Sequence, residues 1–191
     1  MNSHSLFFFL HWFCSEEEAA EERKPEAYQK ALLACKAGAS RKEIDDALRI
    51  LDADDAQVVF ELGRHLESKA AAAAAFQGTD PQTGKLVEHQ PTIGEVALML
   101  IQRKIEGLEP GKHHPINVVD GNNAKGWIDA RQNLKLREMQ RDAAQEGVVK
   151  AKKHHLSHPD EFSLADLNLY QANLQAVMAG KPPRYSSWVK R

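Results

Sequence analysis

Three times in this chain a hydroxyl residue is followed, three positions on, by a glutamate: Ser15 with Glu18, Ser40 with Glu43, and Thr92 with Glu95. In that spacing the hydroxyl accepts a backbone N–H inside the first helical turn while the carboxylate reaches back to the N–H of the hydroxyl residue. Two donors that a helix start leaves unpaired are satisfied at once, so each pair predicts where a helix begins. Gly38, Gly107 and Gly180 supply matching stops, because glycine takes the left-handed conformation that ends a helix without a Cβ penalty. A chain punctuated in this way is constrained to a mainly helical fold.

Between these marks the apolar spacing fills in the elements. Pro25 suits the first turn of a helix that ends at Gly38, and Ile44, Ala47, Leu48 and Leu51 form one stripe after Ser40. Asp52 or Asp54 is expected to cap a third helix running through Val58, Val59, Leu62 and Leu66 into the alanines at 70–75, which are strong helix formers. Thr92 opens a helix whose residues 96–101 are almost continuously apolar, the predicted central buried helix. A long polar helix is expected from about Asn123 to the lysines near Lys152, with Trp127, Ile128, Leu134 and Met139 inward and Gly147 as a point of interruption. Ser163 is expected to cap the last helix, with Leu164, Leu167, Tyr170, Leu174, Val177 and Met178 on one face.

One segment stands apart. Residues 6–14, Leu-Phe-Phe-Phe-Leu-His-Trp-Phe-Cys, are too short to span a bilayer, which takes about 20 residues. They lack the basic start and small-residue cleavage site of an export signal. Read as a strand, they place Phe7, Phe9, His11 and Phe13 on one face and Leu6, Phe8, Leu10 and Trp12 on the other, and neither face suits water. Leu86-Val87 and residues 116–119, Ile-Asn-Val-Val, are the short strand candidates that could pair with it. The expected fold is therefore mainly α within an α+β class: a helical domain over residues 1–180 with a small sheet of two or three short strands including the N-terminal one, followed by an extended basic tail over 181–191. Phe7, Phe9, His11 and Phe13 are the expected partner interface, facing a protein partner or a second copy.

At 191 residues the chain has enough length for a real core without staples. Cys14 and Cys35 make neither a zinc spacing nor a disulfide framework, which points to a reducing compartment and a cytoplasmic location with no membrane partner. The net charge of −2 conceals a polarity. Residues 15–62 carry 13 acidic against 7 basic side chains, whereas residues 131–191 carry 11 basic against 6 acidic. Arg131, Lys135, Arg137 and Arg141 recur along the predicted long helix, and Arg184, Tyr185, Trp188, Lys190 and Arg191 interleave bases with aromatics in the tail. That pattern suits backbone contact plus base stacking, so nucleic acid is a possible partner of this end.

Catalytic patterns are partial. Residues 78–85 contain two glycines and a lysine, but the spacing is one residue too long for a phosphate loop and Leu86 stands where the magnesium-holding hydroxyl belongs. His113-His114, Asn133, and His154 with His158 fall in the order His, Asn, His-x3-His, which resembles the HNH nuclease family. The resemblance implies His113 or His114 as the base, Asn133 as the orienting residue, and His154 and His158 as ligands of a divalent metal. Residues 116–123, Ile-Asn-Val-Val-Asp-Gly-Asn-Asn, are similar to the first strand of the NYN and PIN-like ribonucleases, which implies a magnesium-binding role for Asp120.

No set of residues completes a catalytic constellation by spacing alone. The expected function is that of a non-enzymatic interaction or regulatory protein that binds a macromolecular partner and needs no cofactor. A metal-dependent nuclease and a nucleic-acid-binding protein are the alternatives.

Overall fold

A computed structural model of the chain describes residues 24–77, 85, 89–108 and 116–183. Its architecture is mainly helical. Helix α1 covers residues 24–34, followed by α2 (Arg41–Leu51), α3 (Ala56–Arg64), α4 (Ile93–Glu106), α5 (Ala124–Asp129), α6 (Leu136–Ser157) and α7 (Glu161–Met178), with a short 3-10 turn at Ala74–Phe76.

Two of the three predicted capping boxes form, and the third, Ser15 with Glu18, lies outside the described residues. Ser40 Oγ accepts from Glu43 N at 3.3 Å while the Glu43 carboxylate accepts from Ser40 N at 2.7 Å, and Thr92 and Glu95 repeat the exchange at 3.2 and 2.7 Å. Gly107 and Gly180 have positive φ and end α4 and α7, whereas α1 already ends at residue 34, ahead of Gly38, whose φ is also positive. Two caps move. The third helix starts from Asp55, whose carboxylate accepts from Gln57 N at 2.9 Å, and Asp52 ends α2 instead. The last helix starts from Asp160, with Ser163 as its reciprocal partner in the first turn.

Helix α4 is the centre of the molecule: Ile93, Val96, Ala97, Ile101 and Ile105 are wholly buried. It packs against α3 and α6, while α5 rests on α3 and α7 on α6. Tyr28, Leu32 and Cys35 of the first helical segment close the same core. The Tyr28 hydroxyl donates to Asp55 at 3.0 Å, and burial together with that carboxylate pushes Tyr28 up to about 12. A smaller cluster of Leu108, Ile116, Ala151 and Tyr170 fills the space between α6 and α7.

The alanines at 70–75 correct the helical expectation. Helix α3 ends at Arg64, and residues 70–73 run extended between two other backbones. Ala73 N donates to Cys35 O at 2.8 Å and Ala37 N to Ala71 O at 2.9 Å on one side; Ala72 N donates to Pro91 O and Ile93 N to Ala70 O, both at 2.8 Å, on the other. Methyl side chains let three backbones approach to hydrogen-bonding distance. Those tertiary bonds outweigh a helix propensity advantage of at most about 1 kcal/mol per residue.

The contacts amount to isolated antiparallel bridges, Lys36 with Ala72 and Ala71 with Thr92, and no strand occurs among the described residues. Residues 116–119, expected as a strand, form none. Residues 6–14 and Leu86-Val87 lie outside the described residues. The single long helix expected from Asn123 is divided into α5 and α6 by a turn over residues 130–135. Gly147 does not interrupt α6. It lies against Tyr170, where a Cβ would come within 2.8 Å of the ring.

Candidate interaction groove

The interior polar residues hold backbone in place. Glu106 is 3% exposed at the end of α4, and its carboxylate accepts from Val118 N at 2.8 Å and Val119 N at 2.9 Å. Burial pushes Glu106 up to about 7, against the opposing pull of those two N–H groups and the charge of Lys150; Asp120 adds to the rise. The same segment is gripped from other sides. Lys150 Nζ donates to Asn117 O at 2.8 Å, Gln102 Nε2 to Val119 O at 2.7 Å, Asn123 Nδ2 to Val118 O at 2.8 Å, and the Tyr170 hydroxyl to Ile116 O. Side chains supply what a sheet neighbour would have supplied, which is why residues 116–119 stay irregular. Asp120 closes the turn that follows, accepting from Asn122 N at 2.8 Å.

The nuclease-like residues are only partly brought together. His154 near the end of α6 and His158, the residue that caps it, stack at 5.0 Å between ring centroids. Asn133 sits exposed in the turn before α6, and the rise of 1.5 Å per residue puts His154 about 27 Å farther along the axis than the first residue of the helix. His113 and His114 lie outside the described residues. His155 Nδ1 is 2.8 Å from Ser163 Oγ, which fixes the corner between α6 and α7. Among the described residues no group of three His, Cys, Asp or Glu side chains is placed to hold a metal ion.

The basic residues assigned to nucleic acid divide similarly. Arg131 is 17% exposed; it donates to Asp142 at 3.0 Å and to Glu146, and its guanidinium lies 3.9 Å over the Trp127 ring. Arg137 pairs with Asp54 at 3.1 Å, and with Lys135 it lines a depression that also holds Asp55 and Phe60. Arg141 is exposed on α6. Arg184, Tyr185, Trp188, Lys190 and Arg191, like the interface residues Phe7, Phe9, His11 and Phe13, lie outside the described residues.

A surface groove of about 410 Å³ runs between α2, α4 and the start of α6. Leu48 and Leu51 of α2, Leu100 of α4 and Leu136 of α6 provide an apolar lining, and Asp45, Arg49, Asp52, Asp54, Arg103 and Lys104 line it with charge. Buried Gln140 ties α6 to α4 beneath it, donating to Lys104 O at 2.9 Å. Lys104 Nζ donates to Ala53 O at 2.8 Å; burial lowers its pKa, opposed by the nearby Asp52, Asp54 and Asp55 carboxylates. Pro182 and Pro183, just beyond α7, also line this groove. Sequence reasoning missed it because its residues come from four separated stretches of chain. Its sequence signals, the aspartate-rich stretch 45–55 and the Arg103-Lys104 pair near the end of the buried helix, stand far apart in the chain.

No family model matches the chain, and neither a curated protein nor a solved structure matches it. No helix among the described residues is long and apolar enough to cross a membrane.

Proposed function

We propose that the chain is a non-enzymatic interaction or regulatory protein that binds a macromolecular partner through the groove between α2, α4 and α6. The groove itself supports the reading: half-buried Leu48 lines it together with the buried Leu51, Leu100 and Leu136, between charged walls, the arrangement a docked polypeptide uses for affinity and orientation. Helices hold all three sides, so the surface is formed in advance and little ordering is needed on binding. The apolar run containing Phe7, Phe9, His11 and Phe13 is a second contact surface in this proposal.

A photo-crosslinking amino acid in place of Arg49 tests it, with the same group at exposed Lys42 as control. In lysate of the native host, a discrete adduct at position 49 and none at position 42 is expected. Identical patterns at both positions, or no adduct at 49, would refute the groove as a docking surface.

A further inference from the structure

Helix α7 turns the more polar of its two stripes inward. Its buried residues are Ser163, Tyr170, Asn173 and Val177, and they meet α6, where Tyr170 lies on Gly147 and Ser163 Oγ is 2.8 Å from His155 Nδ1. One residue farther around the helix runs a second stripe: Leu164, Leu167, Gln171, Leu174 and Met178. Leu164 and Met178 are 46% and 59% exposed, Gln171 is exposed, and Leu167 and Leu174 are half-buried. The outer side of a surface helix normally carries charge, yet residues 167–180 contain none. Of the seven large apolar side chains exposed among the described residues, five belong to α6 and α7.

The spacing and order of this stripe select its partner. Steps of three, four, three and four place the five residues on one seam, at the a and d positions through which two helices interlock. The seam reads alike in both directions: Leu164 and Met178 stand seven residues either side of Gln171, and Leu167 and Leu174 four and three. Glu161 and Lys181 stand ten residues either side and carry opposite charges. A two-fold axis at Gln171 sets apolar residues against apolar residues and brings each Glu161 toward the other copy's Lys181. The Gln171 amide then meets its own copy, and an amide both donates and accepts. Chemistry that matches itself on reversal is what an isologous contact requires.

We infer that the outer stripe of α7 is a self-association surface, on which α7 of a second copy lies antiparallel about a two-fold axis at Gln171. No α7 residue lines the groove between α2, α4 and α6, so the two surfaces are distinct. At 1.5 Å per residue the seam is about 21 Å long. A contact of that length falls at the small end of specific interfaces, with an expected Kd of about 10–100 µM.

The test is sedimentation equilibrium of the full chain between about 10 and 500 µM, with Gln171→Lys and Gln171→Glu as variants at an exposed position. The parent is expected to dimerise. Either variant alone puts like charges at the axis and is expected to dimerise at least about tenfold more weakly, while an equimolar mixture of the two regains the parent affinity or exceeds it. A parent that stays monomeric overturns the assignment, whether residues 6–14 or another protein cover the stripe. So does a dimer that both variants leave intact, since it forms through a different surface, and so does a mixture no stronger than its components. Should the variants lose helical circular dichroism, disulfide formation decides. Oxidising an equimolar mixture of Leu164→Cys and Met178→Cys is expected to link position 164 of one copy to position 178 of another; links of 164 to 164 alone, or none at either position, overturn the assignment.

Discussion

Among the described glycines, Gly94 has the least room for a side chain. It stands in the first turn of α4, and a Cβ built there would lie 2.3 Å from Leu66 O, 2.9 Å from Ser68 O and 3.0 Å from the Leu66 carbonyl carbon. These are backbone atoms, so no rotamer change relieves the overlap. Gly94→Ala must push the 66–70 segment away by about 1 Å, since carbon–oxygen contacts settle near 3.2–3.5 Å. That movement lengthens Gly94 N to Ser68 O, now 3.1 Å, and Ile93 N to Ala70 O, now 2.8 Å. Overpacking costs about 1–3 kcal/mol and each weakened bond about 1 kcal/mol, giving a destabilisation of roughly 3 kcal/mol. For a chain of this length that lowers Tm by about 6–12 °C. Gly126→Ala in α5 is the control: nothing lies within 4 Å of its Cβ, and alanine gains up to about 1 kcal/mol of helix propensity there. Urea unfolding of both variants is the assay. A Gly94→Ala stability within about 0.5 kcal/mol of the parent, the usual range for harmless surface changes, would refute the packing argument.

Three further outcomes can be measured the same way. Burial raises Glu106 to about 7, so its titration favours the fold most below the unfolded carboxyl pKa, and that advantage is lost as pH rises through 7. It amounts to about 3 kcal/mol; relative to Glu106→Gln, the parent should lose stability between pH 5 and pH 8, and a constant difference would contradict the burial account. Gly147→Ala should cost about 1–3 kcal/mol, because the Tyr170 ring that its Cβ meets at 2.8 Å is anchored through its hydroxyl to Ile116 O; a neutral result in urea unfolding would show the ring free to move. Arg131→Ala should cost about 1–2 kcal/mol through the lost carboxylate bonds and Trp127 stacking, while leaving any nucleic-acid affinity unchanged in a salt titration.

What the sequence made legible was local. A capping box needs only residues three positions apart, and a glycine stop only its own φ, so Ser40, Thr92, Gly107 and Gly180 could be placed without tertiary knowledge. The alanines at 70–75 read as helix because propensity reports on an isolated segment, whereas their conformation is set by Cys35, Pro91 and Ile93 from distant parts of the chain. Residues 116–119 read as strand because Ile and Val are β-formers; Glu106, Lys150, Gln102 and Tyr170 satisfy their backbone from helices that no local pattern connects to them. The groove was hidden for the same reason.

The division between inside and surface bears on function. Glu106, Gln102, Lys150, Asn123, Gln140 and Tyr170 are polar residues of the type that catalytic sites recruit, yet each has a hydrogen bond to main chain. Removing Glu106 leaves the Val118 and Val119 N–H groups without that partner inside the molecule, so folding gives its identity a reason. Asp45, Arg49, Asp52 and Arg103 stand differently: they project at the groove, and their exposed ion pairs contribute little to stability. Charge that folding does not require is free to select a partner. A stability-neutral Asp52→Lys that removes the position-49 adduct would separate the two roles in a single residue.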